Sequence, residues 1–196
     1  MNDVTLAVLA GGRARRMGGQ DKGLVTVAGK PMIQHVLDRI SQPDQPAMVI
    51  ANRHQDQYAE FGYPVFSDAL ADFPGPLAGI AVALQHSDTE WVLVCPCDTP
   101  QLPPKLMEQM LATQREHQAE VVVAHDGEYE HSVVLLLSTS LLPSLSAYLE
   151  GGDRKVDLWY GQHAVARCYF EGQASAFANI NTPEQRQQLE LELLGQ

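Results

Sequence analysis

Basic side chains are scarce in this chain. Of its 196 residues, 13 are Lys or Arg and 24 are Asp or Glu, a formal net charge of −11. General binders of nucleic acid or anionic membranes draw affinity from positive charge, so neither partner is expected. Cysteine is scarcer still, with only Cys95, Cys97 and Cys168. Three thiols make no disulfide framework, and the first pair is closer than the C-x-x-C of redox and zinc sites, so both read as packing residues. A reducing, cytoplasmic setting is expected. The opening MNDVTLAVLAGG lacks the basic-then-apolar order of an export signal. No unbroken apolar run is long enough for a membrane span. Ser132 to Leu149 is uncharged, but Ser138, Thr139, Ser140, Pro143 and Ser144 interrupt it. It reads as a buried strand followed by a helix. Catalytic signatures are missing as well. There is no G-x-S-x-G and no H-E-x-x-H, and the seven histidines fall at no metal-ligand spacing.

What remains is a globular composition, 45% hydrophobic with 15 Gly and 12 Pro, of a length suited to one domain over residues 1–196. Short apolar runs alternate with helical patterns. Val4–Ala10, Met48–Asn52, Val65–Asp68, Trp91–Cys95, Glu120–Ala124 and Val133–Leu137 read as strands. Pro31–Ser41, His54–Phe61, residues 77–86, Pro104–His117 and Pro183–Leu194 read as helices, the last capped by Thr182. This alternation predicts an α/β fold: three layers, with a mostly parallel sheet and helices on both faces. In such folds ligands bind beyond the carboxyl ends of the strands.

That place is occupied by LAGGRARRMGGQDKGL, Leu9 to Leu24, directly after the first strand. It holds five glycines and, in Arg13, Arg15, Arg16 and Lys22, four of the 13 basic residues of an acidic chain. Glycines let backbone N–H groups approach an anion, and the cations neutralise it, so a polyphosphate is the ligand this suits. No G-K-[ST] or G-x-G-x-x-G is present, so neither a P-loop nor a dinucleotide fingerprint is. Other strand ends carry polar residues. Asp98 follows WVLVCPC between Pro96 and Pro100, a rigid place for a carboxylate that would hold Mg²⁺ together with phosphate oxygens. Asn52 ends MVIAN and Asp68 ends VFSD. Gly75-Pro76-Leu77-Ala78-Gly79 opens a helix, and is either turn punctuation or a close approach of backbone to a nucleotide, with Gly79 letting the helix pack tightly. Asn179 and Asn181 flank Ile180 and face one side of an extended segment, offering paired amides to a heterocycle edge. Arg154-Lys155 is either a phosphate contact or a solvated turn.

Together these blocks resemble a known family. L-A-G-G-x-x-x-R-M-G-G-x-D-K-G-L, then A-N-R-H at 51–54, F-P-G-P-L-A-G at 73–79, P-C-D-T-P at 96–100 and N-I-N-T-P at 179–183 are similar, in order, to the molybdopterin nucleotidyltransferases. The opening Leu9-Ala10-Gly11-Gly12 has the guanylyl rather than the cytidylyl form, and Ser132 stands where relatives usually have proline. The resemblance implies a Rossmann-like nucleotidyltransferase fold. It also implies transfer of GMP from GTP to the terminal phosphate of molybdopterin, giving the guanine dinucleotide form of the molybdenum cofactor and pyrophosphate. On this reading GTP lies on Leu9, Ala10, Gly11, Gly12, Lys22, Asn52, Asp68, Gly79 and Asp98. Mg²⁺ sits on Asp98, Arg16 and Lys22 screen the triphosphate, and Asn179 and Asn181 meet molybdopterin. A cytoplasmic monomer is expected, with other cofactor-synthesis or molybdoenzyme-maturation proteins as further partners. The competing readings are a CTP-dependent or sugar-phosphate nucleotidyltransferase and a non-catalytic GTP-binding protein.

Overall fold

The computed structural model describes residues 3–10, 21–67 and 75–194. Its strands are β1 (Val4–Leu9), β2 (Thr26–Val27), β3 (Lys30–Pro31), β4 (Ala47–Ile50), β5 (Val65–Phe66), β6 (Trp91–Pro96), β7 (Val121–His125), β8 (Glu130–Ser138) and β9 (Val165–Tyr169). Its α-helices are α1 (Met32–Ile40), α2 (Gln55–Ala59), α3 (Pro76–His86), α4 (Leu106–His117), α5 (Leu142–Glu150), α6 (Val156–Tyr160) and α7 (Pro183–Leu194). Seven strands form one sheet in the order β5-β4-β1-β6-β8-β7-β9. Only β8 runs against its neighbours. Six strands therefore end at the edge where β8 begins.

Both faces of the sheet are covered, which is why its central strands read as unbroken apolar runs. Leu6, Val8, Leu93, Cys95, Val122 and Leu136 pack against α1, α4 and Tyr58 of α2 on one face. Ala7, Val92, Val94, Val121 and Leu135 pack against α3, α5 and α6 on the other. Ser132–Leu149 is the end of β8, a 3₁₀ turn at Thr139–Leu141, and most of α5. Among the described residues no helix is long and apolar enough to cross a membrane.

Several elements were not anticipated. Strand β9 alternates buried Ala166 and Cys168 with exposed Arg167 and Tyr169, the pattern of a half-covered edge strand rather than an apolar run. The antiparallel pair β2–β3 and the helix α6 are too short to leave a periodic signal. Helix α7 starts where expected. The Thr182 hydroxyl accepts the Gln185 N–H at 3.3 Å, while the Gln185 side-chain carbonyl accepts the N–H groups of Asn181 and Thr182 at 2.7 and 3.1 Å. This reciprocal cap fixes the chain just ahead of the helix.

Candidate functional site

The carboxyl edge of the sheet is sewn together past the ends of its strands. The Cys97 N–H bonds Leu9 O at 3.0 Å, and the Ala10 N–H bonds Ile50 O at 2.8 Å. Leu9 and Ala10 thus lie between the strand ends that lead to Asn52, which is exposed, and Asp98, which is buried. Gly79 sits in the first turns of α3. A methyl group there would come within 3.2 Å of the Leu9 side chain and 3.4 Å of Ile50, so the glycine serves close packing of helix on strand ends.

Lys22 opens a 3₁₀ turn, Lys22–Leu24, and reaches into this edge. Its Nζ lies 2.8 Å from Asp98 Oδ2 and also donates to Asn181 Oδ1. Residues from three distant parts of the sequence so converge on one ammonium group. Both charged partners are largely shielded, with side-chain exposures of 19% for Lys22 and 11% for Asp98, which strengthens their attraction relative to a surface pair. Asn181 is delivered by the cap of α7 on one side and, on the other, by the Ile180 N–H, which bonds Asp98 O at 2.8 Å. Asn179 and Asn181 flank buried Ile180 as expected, Asn179 exposed and Asn181 half-buried.

The turn carrying Lys22 is itself clamped, by residues the sequence reading did not single out. Asp21 is buried, with Oδ1 accepting the Tyr58 hydroxyl and Oδ2 3.1 Å from His54 Nδ1. Burial, then the nearby Cys97 and the bond to Asp21, push the Tyr58 hydroxyl far above its usual range, so it stays protonated and donates. Gly23 fits only because it has no side chain, since an added Cβ would lie 2.5 Å from the Tyr58 oxygen. Asp21 and His54 belong to the D-K-G-L and A-N-R-H blocks, so position marked them. Nothing in a five-residue helix marked Tyr58.

Cys95 and Cys97 are buried, and burial raises both thiols well above their usual range, as suits packing residues. Arg154 donates to Leu149 O at the end of α5 at 3.0 Å, and the Lys155 carbonyl accepts the Tyr148 hydroxyl at 3.2 Å. Gly11, Gly12, Arg13, Arg15, Arg16 and Asp68 lie outside the described residues. For Mg²⁺ the donor set fits. Asp98 has one oxygen on Lys22 and a second that takes no hydrogen bond among the described residues. No cluster of three His, Cys, Asp or Glu is placed to cage a metal among those residues. Mg²⁺ characteristically takes one or two carboxylates and completes its shell with substrate phosphates and water.

A lysine–carboxylate pair at the carboxyl edge of a three-layer α/β sheet, its lysine just after a glycine-rich stretch of sequence, fits a nucleoside-triphosphate-handling enzyme of the nucleotidyltransferase class. Comparison with known proteins makes this specific: residues 6–166 match the MobA-like NTP transferase domain, and the chain belongs to that family. It is 50% identical over 192 residues to the molybdenum cofactor guanylyltransferase of Shewanella baltica (strain OS155), covering 98% of both chains. It is also 50% identical over 186 residues to the protein of that name from Shewanella woodyi, covering 95% of each. Among solved structures, molybdopterin-guanine dinucleotide biosynthesis protein A from Archaeoglobus fulgidus superposes with a TM-score of 0.80 at 23% identity, covering 98% of this chain and 100% of that one. This last likeness is one of fold.

Proposed function

We propose that this chain is one nucleotidyltransferase domain that transfers GMP from GTP to the terminal phosphate of molybdopterin and releases pyrophosphate, acting as a cytoplasmic monomer. The observation that carries this reading is the Lys22–Asp98–Asn181 cluster at the strand ends, directly after the glycine–arginine loop. The names of the relatives at 50% identity support guanine as the base and molybdopterin as the acceptor.

The chemistry asks little of acid–base groups. The attacking phosphate oxygen is already anionic at neutral pH, and the leaving pyrophosphate needs its growing charge neutralised. Alignment and electrostatics then supply the rate. Lys22 serves the triphosphate as a cation held in place before substrate arrives. Asp98 would hold Mg²⁺, which would supply positive charge to offset that of the phosphates. Leu9 and Ala10, fixed to neighbouring strands, set the start of the glycine loop, whose N–H groups and Arg16 cradle the phosphates. Asn52 and Asp68 serve the nucleoside. Asn179 and Asn181 serve the acceptor, and Asn181, through Lys22, joins the acceptor side to the nucleotide side.

The test is pyrophosphate release with purified molybdopterin and Mg²⁺, comparing GTP, CTP and ATP. GTP should be preferred by at least about 10²-fold in kcat/KM, because a site that hydrogen-bonds one base leaves buried groups unpaired with another. Equal use of CTP would overturn the guanylyl assignment. GTP binding without pyrophosphate release would make the chain a binder.

A further inference from the structure

Asp126 and His131 meet at the same sheet edge, in a place the histidine spacing did not reveal. Because β8 is the one reversed strand, its first residues stand beside the carboxyl ends of β6 and β7, the edge that holds Asp98. The pairing there is irregular. It runs Val123 to Leu135 and then jumps to Ala124 with His131, so Ser132, Val133 and Val134 have no counterpart on β7. Such bulges re-aim a side chain, and they are frequent next to active sites.

The imidazole that this bulge presents is held on two sides. His131 Nε2 lies 2.9 Å from Asp126 Oδ2, and the ring stacks on Phe177 at 4.4 Å with an interplanar angle of 14°. Asp126 is buried, and its Oδ1 accepts the N–H groups of Glu128 and Tyr129, both at 2.8 Å. A carboxylate so supplied with donors stays ionised and accepts a hydrogen bond from the Nε2–H of His131. In the neutral ring that leaves the lone pair on Nδ1, and Nδ1 makes no hydrogen bond among the described residues. Phe177 stands two residues before Asn179, in the segment whose Ile180 N–H is tied to Asp98. The ring is therefore built onto the Asn179–Asn181 segment and keeps about a fifth of its surface open.

We infer that His131 is a binding residue for the acceptor, its Nδ1 accepting a hydrogen bond from an N–H on the edge of the acceptor's heterocycle. Asp126 and Phe177 act as positioning residues that fix the tautomer and the plane of the ring. With its Nε2–H donating to Asp126, the neutral ring offers an acceptor at Nδ1, which suits the N–H donor of a pterin edge and not a phosphate dianion. This inference rests on the molybdopterin reading above.

Two near-isosteres separate the roles of the two ring nitrogens. Gln places its amide near Nε2, so His131→Gln keeps a partner for Asp126 and loses the Nδ1 acceptor. Asn places its amide near Nδ1, so His131→Asn does the reverse. Steady-state pyrophosphate release is measured with GTP and molybdopterin varied independently, and GTP affinity by calorimetry. His131→Gln should raise the molybdopterin KM about tenfold, the scale of one hydrogen bond, with GTP affinity within twofold of wild type. His131→Asn should recover much of that loss. If the pair merely staples the β7–β8 turn, the order reverses, with Gln harmless and Asn damaging, and the inference is overturned. A wild-type protein that releases no pyrophosphate from GTP and molybdopterin overturns the underlying reading instead. As a check independent of variants, the His131 ring resonances of the wild-type protein should shift on adding molybdopterin and stay put on adding GTP. The opposite pattern also sinks the inference.

Discussion

Two aspartates stand on either side of Lys22, nearly equally buried at 6% and 8% exposure, and the structure treats them differently. Asp21, its neighbour in sequence, has both oxygens engaged by Tyr58 and His54, so its hydrogen bonding is complete without any ligand. Asp98, its neighbour in space, meets one lysine among the described residues, and its second oxygen takes no hydrogen bond among them. A buried carboxylate with full local satisfaction is a fixture of the fold. One whose balance hangs on a single long, flexible cation is placed to exchange partners. On the function proposed above, the same charge at the same depth serves architecture in one case and chemistry in the other.

The sharpest way to break this contrast is Asp98→Asn. The amide keeps the shape but is a poor ligand for Mg²⁺, and the loss falls where charge shifts to pyrophosphate. Turnover should drop roughly 10²-fold or more, while GTP binding weakens less and circular dichroism is unchanged. Pyrophosphate release titrated with Mg²⁺ checks it, and wild-type turnover with wild-type Mg²⁺ dependence would place the metal elsewhere. Next in size is Lys22→Ala, which removes the phosphate cation and strands Asp98. About 1.5–3 kcal/mol of binding or transition-state stabilisation should vanish, read as kcat/KM and as GTP affinity.

On the structural side, Gly23→Ala drives a methyl group into the Tyr58 hydroxyl, and Tyr58 is fully buried with nowhere to swing. A loss of about 1–3 kcal/mol in urea unfolding is expected. Tyr58→Phe in that background should return part of it by removing the nearest atom, and failure to do so would show that the ring, not the oxygen, sets the limit. The smallest effect concerns a third carboxylate. Backbone N–H groups, helped by His131, hold Asp126 at about 2, below its ordinary 3.8. A lowered value means stability present above the ordinary pKa and lost as pH falls from about 4 through about 2. Acid unfolding of Asp126→Asn should therefore be shallower than wild type in that window, with the two curves parallel above it.

Much of this was legible in the sequence. Asp98 announced itself by ending an apolar strand between two prolines, and Lys22 by closing a glycine–arginine loop in an acidic chain. The layered sheet followed from apolar runs such as Trp91–Cys95 alternating with helical ones. What could not be read was who meets whom. The Lys22 contacts to Asp98 and Asn181 bridge 76 and 159 residues of chain, and no local pattern encodes such pairings. Tyr58 looked like any apolar position of a short helix. His131 was one of seven scattered histidines until a bulge and a reversed strand set it against Asp126.

The smallest of the three apolar clusters has a consequence for how the site holds together in time. Val25, Val27, Met32, Ile180 and Leu189 pack together, with Leu193 against them, apart from the two cores that flank the sheet. This patch joins α7 to the hairpin β2–β3, and the Ala28 N–H reaches Glu190 at 3.3 Å across it. So few side chains make a cooperative unit that opens at a lower free energy than the sheet. Since the patch lies just after Lys22 in one segment and just before Asn181 in the other, its opening would part the lysine from the asparagine while leaving β1 and β6 intact. The amide protons of Asn181 and Met32, the latter bonded to Val25 O at 2.9 Å, would then exchange with solvent together, ahead of those in the central strands. On the function proposed above, the site would then come apart at the last helix before the sheet beneath it opens.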